Sequence, residues 1–124
     1  MGQLGTIAVH RDDDVVIVRL LGEHDLATRP AVLAQLRVAI DSLHKLIIDV
    51  TDTDFIDASI LSALITADHE LARTRGRLVL LTSTSCGVQR TLEVSGVVKM
   101  LPVAHRRSEA VAFARTARAD IPGG

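Results

Sequence analysis

Two kinds of apolar pattern alternate along the chain and predict alternating strands and helices. Val15–Leu21, Lys45–Val50 and Arg77–Thr82 are almost continuous runs of Val, Ile and Leu, which is typical of strands buried on both faces of a sheet. Between these runs the apolar residues recur every three or four positions, as they do on one face of a helix. Thr6–His10 alternates before an Asp12–Asp14 turn, which predicts an opening hairpin.

Three stretches have the spacing of amphipathic helices. The first follows Thr28, a suitable N-cap residue, and has Pro30 in its first turn. The second begins at Ser59 and ends near Gly76, which can take the left-handed conformation that closes a helix. The third is alanine-rich and has Ser108 as its predicted N-cap. The predicted buried faces of the first two helices contain Leu33, Leu36, Ile40 and Leu43, followed by Leu61, Leu64, Ile65 and Leu71.

The segment from Ser85 to Pro102 predicts one short helix and one last strand. Ser85 is a candidate N-cap for this helix, and Gly96 is a candidate stop. Val97–Leu101 is apolar and begins with β-branched residues, which favours a strand that Pro102 closes. The resulting order is ββαβαβαβα. It predicts an α/β fold with a mixed, mostly parallel sheet of about five strands and about four helices.

Length and composition indicate one domain, which we expect to cover residues 1–118, with a flexible C-terminal tail over 119–124. Apolar residues make up 48% of the 124 residues and aromatic residues 2%, so the core must be aliphatic. The net charge of −1 and the scarcity of aromatic rings disfavour direct nucleic-acid binding. No apolar run is long enough for membrane insertion and no signal peptide is recognisable, which predicts a cytoplasmic protein.

The stretch "DVTDTDFIDASIL", from Asp49 to Leu61, places four aspartates within nine residues before an apolar run. A calcium loop needs a glycine for its turn and a closing glutamate, and both are missing, so no metal site is predicted. Asp52 and Asp54 form a D-x-D pair like that of aspartyl-phosphate hydrolases, but the chain has no Gly-rich phosphate cradle. Asp57 suits a helix start, where an acid contributes about 0.3–1 kcal/mol. The apolar residues beside these acids favour a surface that docks another protein.

The remaining reactive side chains form no predicted catalytic arrangement. The five histidines show no close ligand spacing and are interpreted as surface residues. The single cysteine, Cys86, excludes an internal disulfide; it lies near a predicted helix start, where a thiol can become redox-active, but burial as a small apolar residue is more common. The predicted element order brings no serine, histidine and aspartate together. We therefore expect no enzyme and no cofactor.

Two short motifs at a characteristic separation are similar to those of a known family. "LLGEHDLAT" matches a G-E-x-D-x-x-T segment at a strand end, through Gly22, Glu23, Asp25 and Thr28. "LIIDVTDTDFIDASIL" matches a strand followed by a D-S-[S/T]-G-L signature at the head of a helix. Together with the element order, these motifs make the chain resemble the STAS family, the fold of bacterial anti-sigma factor antagonists. The resemblance covers roughly Thr6–Ala117.

The resemblance implies a role in transcription regulation. Antagonists of this family bind an anti-sigma factor with a histidine-kinase-like ATPase fold and thereby release a sigma factor. The same partner phosphorylates the signature serine, and the phosphate breaks the complex, because a phosphoserine brings about −1.5 to −2 charge into the interface. The residues that the resemblance assigns to partner binding are Asp25, Thr28, Asp57, Ala58, Ser59 and Ile60.

The signature departs from the family pattern at its regulatory position. Ala58 stands where the family has its phosphorylated serine, and Ile60 replaces the signature glycine. Alanine has no hydroxyl group, so phosphorylation control is expected to be altered or absent. Ser59 is the remaining candidate for phosphorylation, but a shift of one residue turns a helical side chain by about 100°. The alternative for Ser59 is a first-turn serine without a regulatory role.

Two other functions within the family remain open. The domain could be an accessory subunit of a lipid-transport ABC transporter, in which STAS domains brace the ATPase and need no phosphoserine. It could also be a sensor that binds a small ligand or nucleotide in a pocket of the fold. Binding to a transporter ATPase, without affinity for an anti-sigma factor, would indicate the first function. A thermal shift with nucleotides would indicate the second.

Overall fold

The computed structural model describes residues 5–42, 45–85 and 87–116, which form six strands and five helices. The predicted α/β class is confirmed, with one strand and one helix more than predicted and the order ββαββαβααβα. The strands are β1 (Thr6–Asp12), β2 (Val15–His24), β3 (Lys45–Asp49), β4 (Thr53–Ile56), β5 (Arg77–Leu81) and β6 (Val103–Ala104). The helices are α1 (Arg29–Ser42), α2 (Ala58–Ala72), α3 (Gln89–Ser95), α4 (Val97–Met100) and α5 (Arg107–Arg115).

One mixed sheet forms the centre of the molecule. Its strand order is β1-β2-β3-β5-β6, and β4 pairs with the last part of β2. β1 and β2 form the predicted antiparallel hairpin, and the other pairs are parallel, as expected. The carboxyl ends of β2, β3 and β5 therefore lie at the same end of the sheet.

A bulge at Gly22 lets β2 pair with two different strands. Val16–Arg19 pair with β3, whereas Gly22–His24 pair with β4, and the register shifts between Gly22 and Glu23. Gly22 has a φ of 81°, a left-handed conformation that is costly for residues with a Cβ. Its N–H donates to the carbonyl of Asp52 at 3.1 Å. The bulge thus turns the end of β2 toward the segment that leads into α2.

Four helices cover one face of the sheet, and one helix covers the other. α1, α2, α3 and α4 cover one face, where Val18, Leu46 and Leu80 belong to the larger apolar cluster. α5 covers the other face, where Ile47 and Val79 belong to a smaller cluster. Successive residues of a strand point to opposite faces, so covering both faces requires apolar residues at every position. This arrangement explains the continuous apolar runs of β2, β3 and β5.

In the segment Val97–Leu101, which the sequence predicts as a strand, Val97–Met100 form the helix α4 and Leu101 is the extended residue that follows it. Gly96 ends α3 as predicted, with a left-handed φ of 82°, and α4 begins directly after it. Within this segment Val97 and Leu101 are the buried residues, and the N–H of Leu101 donates to the carbonyl of Val97 at 3.0 Å. The last strand is the two-residue β6, which follows Pro102.

Two predicted N-cap residues do not cap a helix. α3 begins at Gln89, four residues after Ser85, and its N-cap residue is Val88. α5 begins at Arg107, so Ser108 lies inside its first turn. Neither helix has a side-chain cap hydrogen bond. Both serines were predicted from residue type alone, and the packing of these short helices starts them elsewhere.

The end of α2 also differs from the prediction. The left-handed residue is Arg75, with a φ of 60°, and not Gly76. The N–H of Arg75 donates to the carbonyl of Ala72 at 3.2 Å, and the N–H of Gly76 donates to that of Leu71 at 2.8 Å. This is the hydrogen-bond pattern of a Schellman motif, displaced by one residue from the glycine.

The buried face of α1 is rotated slightly from the predicted one. Leu36 is buried as predicted, but its buried neighbours on the helix are Val32 and Ala39, whereas Leu33 is exposed. Leu43, Cys86 and the predicted tail lie outside the described residues, so the boundary at residue 118 stays a prediction. In the described parts of the chain, no helix has the length and apolarity that crossing a bilayer requires.

Candidate protein-binding site

The segment after β2 forms a turn that its own side chains stabilise. Asp25 Oδ1 accepts a hydrogen bond from the N–H of Ala27 at 2.9 Å. The carbonyl of Asp25 accepts from the N–H groups of Thr28 at 3.2 Å and Arg29 at 3.0 Å. Thr28 directly precedes α1, as an N-cap residue would, but its hydroxyl hydrogen bonds lead back to His24 and Asp25.

Asp57 caps the N-terminus of α2, as the sequence predicts. Its Oδ1 accepts from the hydroxyl of Ser59 at 2.6 Å and from the N–H groups of Ser59 at 3.0 Å and Ile60 at 3.3 Å. The Ser59 hydroxyl, and after it these N–H groups, hold the pKa of the Asp57 carboxyl below its ordinary value. The backbone N–H of Leu26 acts in the same direction, which links this carboxylate to the turn after β2.

Backbone hydrogen bonds bring the two sequence motifs together. The N–H of Asp57 donates to the carbonyl of His24 at 3.2 Å. In the β2–β4 ladder, Glu23 pairs with Phe55 and His24 with Ile56. The turn after β2 and the tip of α2 therefore form one continuous surface at one end of the sheet.

The six residues predicted to bind a partner fall into two groups. The first group reaches the surface and can contact a partner directly. The second group is buried and can act only by supporting its neighbours. Ala58 is exposed and Asp25, Asp57 and Ser59 are half-buried, whereas Thr28 is 7% exposed and Ile60 is 0% exposed.

Two large apolar side chains are exposed at this surface. Leu26, in the turn, is 71% exposed, and Phe55, in β4, is 48% exposed. Phe55 is one of the apolar residues beside the acids from which the sequence predicts a docking surface, whereas Leu26 is not among the residues predicted from the sequence. The sequence feature that indicates exposure of Leu26 is its place in a turn, where an apolar residue is not expected to be buried.

An open apolar groove of about 370 Å³ lies between α2 and α3. Ala58 and Leu61 line it from α2, while Val94, which is 77% exposed, lines it from α3. The remaining lining residues are Arg90, Thr91 and Ser95. The groove begins at Ala58, so the regulatory position of the signature lies at its rim. Sequence reasoning predicted none of the contributions from α3.

The other aspartates of the acidic stretch have different partners. Asp49 lies 3.5 Å from Nε of Arg19, and Asp52 forms an ion pair with the same guanidinium. Asp54 is exposed. Across residues 5–42, 45–85 and 87–116, no three His, Cys, Asp or Glu side chains are arranged to hold a metal ion. Asp49 and Asp52 therefore pair with arginine and Asp57 binds backbone N–H groups, so the acids of this stretch do not converge on one point.

One histidine that was interpreted as a surface residue is buried. His24 is 0% exposed and lies beneath the turn after β2. Burial alternates along the end of β2, where Leu20, Gly22 and His24 point inward. The two-residue repeat of a strand is therefore the sequence feature that predicts burial of His24. His10, His69 and His105 are exposed, and His44 lies outside the described residues.

The strand order, the bulged second strand and the capped helix tip define a class of small mixed α/β domains. The model of the STAS domain matches residues 6–110, which is most of the chain. The chain belongs to the STAS domain family. No curated protein sequence matches it at a significant level.

Solved structures of anti-sigma factor antagonists share this fold. An anti-sigma factor antagonist from Mycobacterium paratuberculosis is 24% identical, with a TM-score of 0.80 over 91% of this chain and 96% of that one. The antagonist SpoIIAA in its unphosphorylated form is 23% identical, with a TM-score of 0.73 over 89% and 96%. The Bacillus cell fate determinant SpoIIAA in the phosphorylated form is 22% identical, with a TM-score of 0.67 over 89% and 100%. At these identities the similarity establishes the fold.

Proposed function

We propose that this domain is an anti-sigma factor antagonist that acts by binding and not by catalysis. Its partner is an anti-sigma factor with a histidine-kinase-like ATPase fold, and binding releases a sigma factor in the cytoplasm. The observation that carries the proposal is the exposed position of Ala58 at the start of α2, between the turn after β2 and the apolar groove. The fold that the chain shares with antagonists supports the proposal.

The surface that we propose for this interaction, the docking face, has three parts. They are the Asp25–Thr28 turn, the Asp57–Ile60 tip of α2, and the groove along α3. Leu26, Phe55 and Val94 supply exposed apolar area. Asp25 and Asp57 lie beside this area, which gives the mixture of apolar centre and polar surroundings found in protein interfaces.

We also propose that the domain lacks phosphorylation control at its signature. Ala58 offers no hydroxyl group, and the hydroxyl of Ser59 donates to Asp57 Oδ1 at 2.6 Å. A phosphate on Ser59 would replace this hydrogen bond by repulsion between two anions and would weaken the cap of α2. Ser59 is therefore best explained as part of the cap, and the complex with the anti-sigma factor persists when ATP is present.

Incubation with each kinase-like anti-sigma factor of the host, with and without ATP, tests this function. We expect a complex under both conditions, detected by size-exclusion chromatography, and no phosphate mass gain of the domain. A phosphate mapped to Ser59 would instead indicate a switch shifted by one residue. Absence of binding to every such factor would refute the antagonist function, and a transporter ATPase and nucleotides would then be the ligands to test.

A matched pair of variants separates binding from regulation. Ala58→Ser places a hydroxyl at the exposed first position of α2, and we expect it to acquire one phosphate and to dissociate with ATP. Ser59→Ala removes the hydroxyl that belongs to the cap, and we expect it to bind with and without ATP like the native domain. Phosphorylation of the native domain that Ser59→Ala abolishes would contradict the proposed role of Ser59.

A further inference from the structure

His24 is fully enclosed directly beneath the docking face. It is the last residue of β2, and its side chain is 0% exposed. The ring Nδ1 lies 3.1 Å from Oγ1 of Thr28, and Nε2 lies 3.1 Å from the carbonyl oxygens of both Thr6 and Leu21. The ring therefore contacts β1, β2 and the turn after β2 at once.

The partners of the ring determine its tautomer. A carbonyl oxygen can only accept a hydrogen bond, so Nε2 must carry the proton. In the neutral ring Nδ1 is then an acceptor, and the hydroxyl of Thr28 has two acceptors for its one proton, this nitrogen at 3.1 Å and the carbonyl of Asp25 at 3.2 Å. The same hydroxyl oxygen accepts from the N–H of Asp25 at 3.1 Å. Thr28 is thus held between the ring of His24 and the backbone of the turn.

The backbone of His24 connects to the second part of the docking face. Its carbonyl accepts from the N–H of Asp57 at 3.2 Å, and Asp57 caps α2. The backbone of Gly5 packs closely against the ring, because a Cβ there would collide with the carbonyl oxygen of Glu23 and would lie 2.8 Å from ring atoms of His24.

We propose that His24, as the Nε2–H tautomer, is a positioning residue that holds the Asp25–Thr28 turn in register with the tip of α2. Partner binding depends on this register because both segments belong to the docking face. The link to binding rests on the proposed function. The role of the ring in ordering the turn rests on the hydrogen bonds of the free domain.

Two variants each remove one partner of the contact between His24 and Thr28, and a third variant serves as the control. His24→Leu removes the ring hydrogen bonds with little change in volume, and Thr28→Val removes only the hydroxyl. Val15→Ala creates a small cavity at a fully buried position at the opposite end of β2. It lowers stability without touching the docking face.

Affinity for the anti-sigma factor is the first readout. We expect His24→Leu and Thr28→Val each to weaken binding at least tenfold. The double variant should lose less affinity than the sum of the two single losses, because both substitutions remove the contact between His24 and Thr28. Val15→Ala should bind within twofold of the native domain. Native-like binding by His24→Leu, or an equal loss in Val15→Ala, would overturn the positioning role.

The second readout needs no partner. Nitrogen chemical shifts of the imidazole should show a proton on Nε2 and none on Nδ1. Amide exchange of Ala27, Thr28 and Arg29, relative to the slowest amides of β3, should accelerate in His24→Leu and Thr28→Val but not in Val15→Ala. A proton on Nδ1 alone, or unchanged exchange in the turn, would refute the proposal.

The two readouts separate the proposals. If the native domain binds no kinase-like anti-sigma factor, the antagonist function fails, while the tautomer and the exchange rates still decide whether His24 orders the turn. If the native domain binds and His24→Leu binds equally well, the function stands and the role of His24 in binding is refuted.

Discussion

Aspartates lie at both ends of β2, but their partners differ. At the start of the strand, Asp12, Asp13 and Asp14 form ion pairs with cationic side chains of β3 and α5. At its end, Asp25 and Asp57 accept hydrogen bonds from backbone N–H groups of the turn and of α2. The two groups are roughly 30 Å apart, given the rise of an extended strand over this length.

This difference shows two uses of the same residue type. An aspartate paired with Arg107 or Arg115 has its charge compensated by the cation, and the pair attaches α5 to the hairpin. An aspartate that binds backbone N–H groups stabilises a turn or a helix start, and among the described residues no cationic side chain forms an ion pair with Asp25 or Asp57. At the hairpin end, which we call the closed end, the aspartates are paired with cations of the same chain. At the other, open end the aspartates bind backbone N–H groups beside the exposed Leu26.

The largest expected effect is a loss of binding at the open end. Val94→Asp places a charge in the exposed apolar groove, where a docked partner would desolvate it, so we expect affinity for the anti-sigma factor to fall on the order of 100-fold. Val38→Asp is the control, because Val38 is a comparably exposed valine on α1. Isothermal titration calorimetry measures both. Equal affinities of the two variants would remove the groove from the docking face.

The next effect concerns the cap of α2. Asp57→Ala leaves the N–H groups of Ser59 and Ile60 without their acceptor, which should lower the free energy of unfolding by about 1 kcal/mol. Ser108→Ala should change it little, because Ser108 lies inside α5 and makes no cap hydrogen bond. Urea unfolding measures both values. Similar losses in the two variants would contradict the assignment of Asp57 as the cap.

The opposite end of the same helix offers a gain in stability. Arg75 has a φ of 60°, which is strained for a residue with a Cβ, so Arg75→Gly should raise the free energy of unfolding by up to about 1 kcal/mol. Arg73→Gly is the matched control, because Arg73 has a right-handed φ of −63°. It should lower stability. Thermal unfolding distinguishes the two signs, and a loss in Arg75→Gly would argue against strain at this position.

The smallest effect is a pH dependence at the closed end. Hydrogen bonds from Lys45 and Arg115 lower the pKa of Asp14 from 3.8 to about 2. Because the folded-state pKa is the lower one, this carboxylate stabilises the fold fully above pH 3.8, and the contribution is lost as the pH falls toward 2.

Thermal unfolding between these pH values tests this assignment. Asp14→Asn should flatten the pH dependence there. Lys45→Met removes the hydrogen bond that lowers the pKa of Asp14 most, so the loss of stability should begin at a higher pH. An unchanged profile in both variants would show that the ion pairs do not shift this titration. The effect is small because such surface pairs are screened by solvent.

The pattern of apolar residues predicted those strands and helices in which each face of the element is either buried or exposed along its whole length. β3 and β5 are apolar throughout because both faces of the sheet are covered, and α2 shows its stripe because one side packs on the sheet. β4 has no such pattern, since Thr53 and Ile56 are buried while Asp54 and Phe55 are exposed. It forms because the bulge at Gly22 frees the end of β2 for a second partner, which is a long-range effect.

The same limit applies to the docking face. The motifs located the turn and the tip of α2, but they could not tell that Thr28 and Ile60 point inward. The contribution of Val94 depends on how α3 packs beside α2, which is set by contacts far apart in sequence. The strand prediction for Val97–Leu101 was wrong for a similar reason. The β propensity of two valines is weaker than the effect of Gly96, whose left-handed conformation ends α3 and is followed directly by α4.

The change of partner along β2 has a kinetic consequence. Since one strand carries the Asp25–Thr28 turn and also pairs with the segment that enters α2, these two parts of the proposed docking face are already held together in the unbound domain. Binding through segments that are already held together needs no ordering step there, so association should fall in the range of roughly 10⁵–10⁷ M⁻¹s⁻¹ common to preformed complexes. Differences in affinity among variants of the proposed docking face would then arise mainly from the dissociation rate.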